Sequence, residues 1–244
     1  MVQAFSIPRR PQLVLCELEH RDGALETHSP FCLKIRRSLS LLGLKYESRA
    51  SASPRAFKHL NPRGKVPVML IDGEAIADST RILLHLNRLY PGVLYRHRES
   101  GLWEELADTS LNAHLVAARW ADPDQWKRTR KAFFGSMPWP LRAVLPVRIR
   151  RSVLRSLEAR DIEYQDTERH EDAFLTMLDD FEARAPKKGF WLGEYPDAAD
   201  LAIFSQLQRM RCELTPKQHR WIDQRRALGS YLRRVERATA IEAG

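Results

Sequence analysis

The hydrophobic period of this chain changes once, near residue 92, and that change limits the folds open to it. Before it, short apolar runs of strand length alternate with helical ones; after it, strand patterns disappear and long helical patterns take over. Leu13 to Leu18 is an apolar run of strand length, whereas Phe31, Ile35, Leu39 and Leu42 recur on one helical face that Gly43 closes. Tyr46 to Arg49 gives a second short strand, and Pro54 to Leu60 a short helix that begins with proline and stops before Asn61-Pro62. Val66 to Ile71 and Glu74 to Ala77 flank Asp72-Gly73, a dipeptide suited to a two-residue hairpin turn with positive φ. A helix from Ser79 to Tyr90 ends on Pro91-Gly92. The predicted order is βαβ, α, ββα over residues 1–92, an α/β domain, followed by an all-helical domain over 93–244. Its helices fall near 100–121, 123–134, 140–160, 166–185, 197–212 and 216–240, the last broken at Gly229. Pro138, Pro140 and Pro146 interrupt the third of these or delay its start.

Composition narrows the function classes. At 244 residues and 43% hydrophobic content the chain buries a sizeable core as one large domain or two small ones. Cys16, Cys32 and Cys212 are an odd number without metal-type spacing, which predicts neither a disulfide framework nor a metal site. No apolar run follows Arg9 and Arg10 to make a secretory segment, and no stretch approaches the roughly 18 apolar residues of a membrane span. The expectation is an unexported, cytoplasmic protein. Its net charge of +9 is confined to one region: ten Lys or Arg against the single Glu158 between Lys127 and Arg160. That segment is a solvated helix face or a site for an anionic partner.

Three local features carry chemistry. His28-Ser29-Pro30-Phe31-Cys32 opens the first helix, where unpaired N–H groups and a partial positive charge stabilise a bound thiolate, and a hydroxyl can donate one further hydrogen bond. Ser-Pro is equally a common helix start. Gly64-Lys65-Val66-Pro67-Val68 precedes a strand; a cis bond at Pro67 would expose the backbone of Val66 to an extended peptide, while the plain alternative is a strand-entry proline. Asp78-Ser79 begins the next helix, as a cap or as a carboxylate and hydroxyl for a ligand with both an ammonium and a carboxylate.

In this order and spacing, Ser-Pro-Phe-Cys, Asn61-Pro62-Arg63-Gly64-Lys65-Val66-Pro67 and Ala77-Asp78-Ser79 resemble the N-terminal domain of the glutathione S-transferases. The resemblance covers roughly residues 13–92. It implies a thioredoxin-like N-terminal domain and a transferase-type helical domain. Pro196-Asp197-Ala198-Ala199-Asp200-Leu201 is similar to the capping box of the family's helical domain, with both carboxylates structural and Tyr195 available for a staple. It implies glutathione as co-substrate, no metal, and a homodimer. Val66 and Pro67 would pair with the cysteinyl unit, Asp78 and Ser79 would hold the γ-glutamyl end, and Lys65 and Arg55 would serve the glycyl carboxylate.

Ser29 stands where theta-, zeta- and tau-like classes have Ser and omega- and beta-like classes have Cys. A serine cannot form a mixed disulfide, so the expected chemistry is attack of the glutathione thiolate, stabilised by Ser29, on a small hydrophobic electrophile. Cys32 is expected to be buried and inert. The helix near 100–121 should wall the electrophile's pocket, with Trp103, His114 and Trp120 as candidates. Three departures from the family stand out: Asp78 stands where many classes have Glu, and two segments differ. The loop Glu19 to Thr27, with His20 and Asp22 and leading to His28, is longer than usual, and Met137-Pro138-Trp139-Pro140 with the arginines after it resembles bacterial and metaxin-like branches. The alternatives are a glutathione-dependent reductase or peroxidase, and a non-catalytic adaptor whose basic segment 127–160 binds a protein or nucleic acid.

Overall fold

A computed structural model describes residues 11–19, 27–160, 162 and 164–241. Residues 20–26, most of the long loop and including His20 and Asp22, lie outside the described residues. A four-stranded mixed sheet is ordered β2-β1-β3-β4, with β1 Leu13–Leu18, β2 Glu47–Ser51, β3 Val68–Ile71 and β4 Glu74–Ala77. β1 runs parallel to β2 and antiparallel to β3, and β3 to β4 is a hairpin whose Asp72 and Gly73 both have positive φ. The helices α1 Pro30–Leu41 and α2 Ser79–Leu89 accompany the sheet, and Pro54–Phe57 is a short 3-10 turn. β2 sits later than the Tyr46–Arg49 run predicts. The apolar residues Leu44 and Tyr46 pack into the core cluster ahead of it, and pairing with β1 sets an exposed strand running from Glu47.

Beyond residue 92 the described residues are helical or irregular. The helices are α3 Ser100–Leu106, a π-helical turn Ala107–Leu111, α4 Asn112–Trp120, α5 Pro123–Phe134, α6 Trp139–Glu158, α7 Thr167–Arg184, α8 Ala198–Met210, α9 Pro216–Asp223 and α10 Arg226–Ala238. The expected single helix over 100–121 therefore contains a π-turn. The last expected helix breaks at Gln224-Arg225 rather than Gly229, because both oxygens of Glu182, in α7, accept the backbone N–H groups of Ala227 and Leu228 at 3.0 and 2.7 Å. A cap supplied from 45 residues away has no local signature. α6 runs through Pro146 without stopping. Proline removes the N–H that would bond the Arg142 carbonyl, and an Arg130 guanidinium N–H donates to that oxygen at 3.3 Å instead.

α8 is the common element of two cores. Ala198 and Leu201 join the sheet core of Leu13, Leu15, Ile35, Met69, Ile82 and Leu86, while Ile203, Phe204 and Leu207 belong to the helical core with Phe174, Phe181, Trp191 and Tyr231. The start of α8 is a full capping box: Asp197 accepts from Ala199 N and Asp200 from Asp197 N, at 2.9 and 3.0 Å. Asp200 also accepts from Trp191 N and the Tyr231 hydroxyl, and burial pushes its carboxyl up to about 6. Tyr195 forms no staple there; it is exposed, with the Arg96 guanidinium 5.1 Å from its ring centre.

Candidate functional site

A cleft of about 770 Å³ lies between the sheet half and the helical half. Five of the seven residues expected to form the site line it: Lys65, Val66, Pro67, Asp78 and Ser79. Phe31, in the first turn of α1, joins them. The loop that presents Lys65 and Val66 is built by buried Asn61. Its Nδ2 donates to the Lys65 carbonyl at 2.8 Å, its Oδ1 accepts from Arg63 N at 3.2 Å, and Gly64, at φ +60°, folds back onto its carbonyl at 2.7 Å. The Val66–Pro67 bond is cis. Asp78 has φ +86°, a conformation that costs a non-glycine residue about 1–3 kcal/mol and collects at functional sites. Its Oδ1 caps α2 by accepting from Arg81 N at 3.2 Å, which leaves Oδ2 for other work. Arg55 does not line the cleft; it is the second residue of the 3-10 turn and lies exposed behind Gly64.

Ser29 is the N-cap of α1 and half-buried rather than a wall of the cleft. Its Oγ accepts from Cys32 N at 3.3 Å, so the hydroxyl proton is not used by the cap. Two residues absent from the sequence reading hold the backbone just before it. Arg119, on α4, donates to the His28 carbonyl at 2.9 Å and to the Arg209 carbonyl at 2.6 Å, and Arg209, on α8, donates to the Thr27 carbonyl at 3.0 Å. Both guanidinium groups are buried. Cys212 Sγ lies 4.0 Å from Arg119; burial would raise its thiol, but Arg119, a hydrogen bond with Thr215 and Arg209 outweigh this and lower it. Cys32, by contrast, is fully buried and pushed up to about 12 by burial, which removes it from thiolate chemistry.

A buried ionic network joins the two walls. Lys34 Nζ, on α1, pairs with Glu104 at 2.7 Å and with Asp108 of the π-turn. Burial would lower its ammonium, but Asp108 and Glu104 raise it and keep it charged. Glu104 also accepts from the Thr80 and Tyr95 hydroxyls, at 2.8 and 2.5 Å, and Gln206 donates to Asp108 at 3.2 Å. Burying two acids and a lysine is costly unless each is hydrogen-bonded, and here each is.

The helical wall is not the one expected. Glu105, Asp108, Thr109 and Asn112 face the cleft, on the repeating spacing of one helix side, together with Arg160. Trp103 packs edge-on to Phe181 and Trp191, Trp120 packs on Trp126, Phe133 and Phe134, and His114 packs on Phe174 and His170. None of the three lines the cleft. Burial and then His170 push His114 down to about 3. No group of three or more His, Cys, Asp or Glu among the described residues could hold a metal ion, and no helix among them is long and apolar enough to cross a membrane.

The glutathione S-transferase N-terminal-domain model matches residues 27–94, and the family's C-terminal-domain model matches residues 164–234. The chain belongs to the glutathione S-transferase family. Among its relatives in that family and around it, Failed axon connections of Drosophila melanogaster is 32% identical over 102 residues, 39% of this chain and 22% of that protein. Glutathione transferase GST 23 of Zea mays is 29% identical over 98 residues, 36% and 44% of the two chains. The matches to these two relatives thus span less than half of either relative's length. A metaxin-2 homolog of Caenorhabditis elegans is 21% identical over 192 residues, 76% of this chain and 82% of that one. The fold is shared with a glutathione S-transferase of Methylobacillus flagellatus solved with glutathione bound, at TM-score 0.58 and 19% identity over 95% of this transferase-family chain and 100% of the other. It is shared also with a family member of Pseudomonas fluorescens solved with two glutathiones, at TM-score 0.62 and 16% identity over 95% and 93%.

Proposed function

We propose that this protein is a cytoplasmic glutathione transferase that binds glutathione in the cleft and activates its thiolate for attack on an electrophile. The observation that carries this reading is the meeting, in one cleft, of Lys65-Val66-Pro67, Asp78-Ser79 and the first turn of α1. Asp78 Oδ2 and the mouth of α2 suit the ammonium and carboxylate of the γ-glutamyl end, Val66 the cysteinyl backbone, and Lys65 the glycyl carboxylate, with Arg55 close behind the loop. The sulfur then reaches the N-terminus of α1, where the Ser29 hydroxyl donates to it. The thiol proton leaves to solvent, the sulfur bonds the electrophilic carbon, and the leaving group departs. The polar wall of Glu105, Thr109 and Asn112 favours an electrophile with hydrogen-bonding groups beside its apolar body.

The same proposal includes the division into domains 1–92 and 93–244, and a homodimer, for which the exposed Leu84 and Leu89 of α2 and Leu102 of α3 speak. A dithiol reductase is disfavoured by the burial of Cys32. Calorimetry should give glutathione binding by the wild type. Ser29→Ala should leave that affinity nearly unchanged, raise the pKa of the bound thiol, and slow conjugation to an aryl halide by about 10²–10³. No binding by the wild type sinks the reading; an unchanged thiolate absorbance in Ser29→Ala reduces the hydroxyl to a helix cap.

A further inference from the structure

Helix α6 shows the solvent a face that the glutathione reading does not use. Its inward side is fixed by buried Pro146 and Leu157 and by Arg150, which donates to the Trp120 and Ala121 carbonyls and lies over the Trp126 ring. On the outward side Leu141, Val144 and Val147 are 55%, 57% and 52% exposed. At about 100° per residue, Arg148, Arg151 and Arg155 fall within about 40° of Val144. One face is therefore apolar in its first turns and cationic through Arg155, with exposed Glu158 closing it at the last residue. None of these three arginines has a carboxylate partner among the described residues. Beside them a groove of about 380 Å³ is lined by Val147, Arg151, Leu154, Arg155, Glu158 and Tyr164, with the Glu158 carboxylate accepting from the Tyr164 hydroxyl at 2.7 Å.

We propose that this outer face of α6 docks on an anionic lipid bilayer. Leu141, Val144 and Val147 enter the boundary between headgroups and acyl chains, and the arginines lie at the level of the lipid phosphates, with one headgroup against Arg151 and Arg155 in the groove. The charge of the segment complements such a surface and argues against the other occupants. A second copy, docked face to face, would set arginine against arginine across its two-fold axis. A nucleic acid would use the arginines but leave Leu141, Val144 and Val147 in water, because aliphatic side chains neither contact phosphate nor stack on bases as aromatic rings do. An acidic protein is the remaining rival. Proud aliphatic side chains on a convex helix suit a deformable bilayer better than a folded surface, which would need a matching groove. The inference stands apart from glutathione binding and survives its failure.

The test is co-sedimentation of the full chain with vesicles of phosphatidylcholine alone or with about 30% phosphatidylglycerol, in low and high salt. Binding should appear only with the anionic lipid and fall with salt. Each arginine near such a surface contributes roughly fivefold in partitioning, so Arg148→Ala, Arg151→Ala and Arg155→Ala together should lose about a hundredfold. Val144→Ser with Val147→Ser should also release the protein, while circular dichroism and thermal melting stay as in the wild type. Failure to bind anionic vesicles, or binding that ignores the serine substitutions, overturns the proposal. So does a dimer in sedimentation equilibrium that the serine substitutions dissolve, or retention on duplex DNA or a polyglutamate resin in preference to vesicles.

Discussion

The two ends of the cleft are built in different ways. The end proposed for the peptide backbone and γ-glutamyl group lies within residues 61–79 and is shaped by short-range contacts: Asn61 around its own loop and Asp78 on its own helix. The end proposed for the thiol is held from afar. Thr27 and His28, just before Ser29, are gripped by Arg209 and Arg119, 182 and 91 residues away. On the proposed function, local contacts make the place to bind, whereas the group that would activate depends on the helical half being folded. Binding and activation should therefore fail separately.

The strongest test is Arg119→Met, which keeps volume but removes both donors. Leaving the His28 and Arg209 carbonyls buried without that partner should cost about 3 kcal/mol in urea unfolding. Turnover should fall while the glutathione Kd stays within roughly threefold, on the same separability. A parallel fall in affinity would erase the distinction between the ends. Next comes acid. His114 is held neutral, with its folded pKa near 3 against an ordinary 6.5. A base whose pKa is depressed by folding lends stability that is complete above 6.5 and is lost as pH falls below it. Between pH 7 and pH 5 that loss is about 2 kcal/mol. His114→Leu should flatten the acid side of the Tm profile; an unchanged slope would place the acid-labile group elsewhere than this helical core. The smallest effect is expected at the local end. Asp78→Asn keeps the cap but removes the charge, and should weaken glutathione by about tenfold with the bound thiol's pKa unmoved.

The same division explains what was legible from residues alone. The Asp72-Gly73 turn, the Asp197–Asp200 capping box and the Ser29 cap each rest on a contact within four residues, whatever longer-range bonds Asp72 and Asp200 add, and each appears in the structure in the form the local pattern implies. Arg119 and Arg209 left no such trace, since an arginine in a helix is usually a solvated one and nothing nearby says that its partners are the Thr27 and His28 carbonyls. The aromatic residues of 100–121 misled for a related reason. A large ring at helical spacing signals burial but not which cavity it faces, and here the rings fill the helical core. The π-turn was invisible because Ala107-Asp108-Thr109-Ser110-Leu111 reads as ordinary helix.

That turn gives the protein one spare residue in the middle of a helix. An α-helix has no slack: dropping one position rotates everything after it by about 100°. A π-turn absorbs such a change, because losing one of its residues relaxes it to a regular turn. The segment carrying Asp108, Thr109 and Asn112 can thus be re-indexed by a single-codon deletion without opening a loop or moving a cap. Variation in what the cleft accepts need not come through substitution alone; a change in count at 107–111 would present a different set of side chains on the same scaffold.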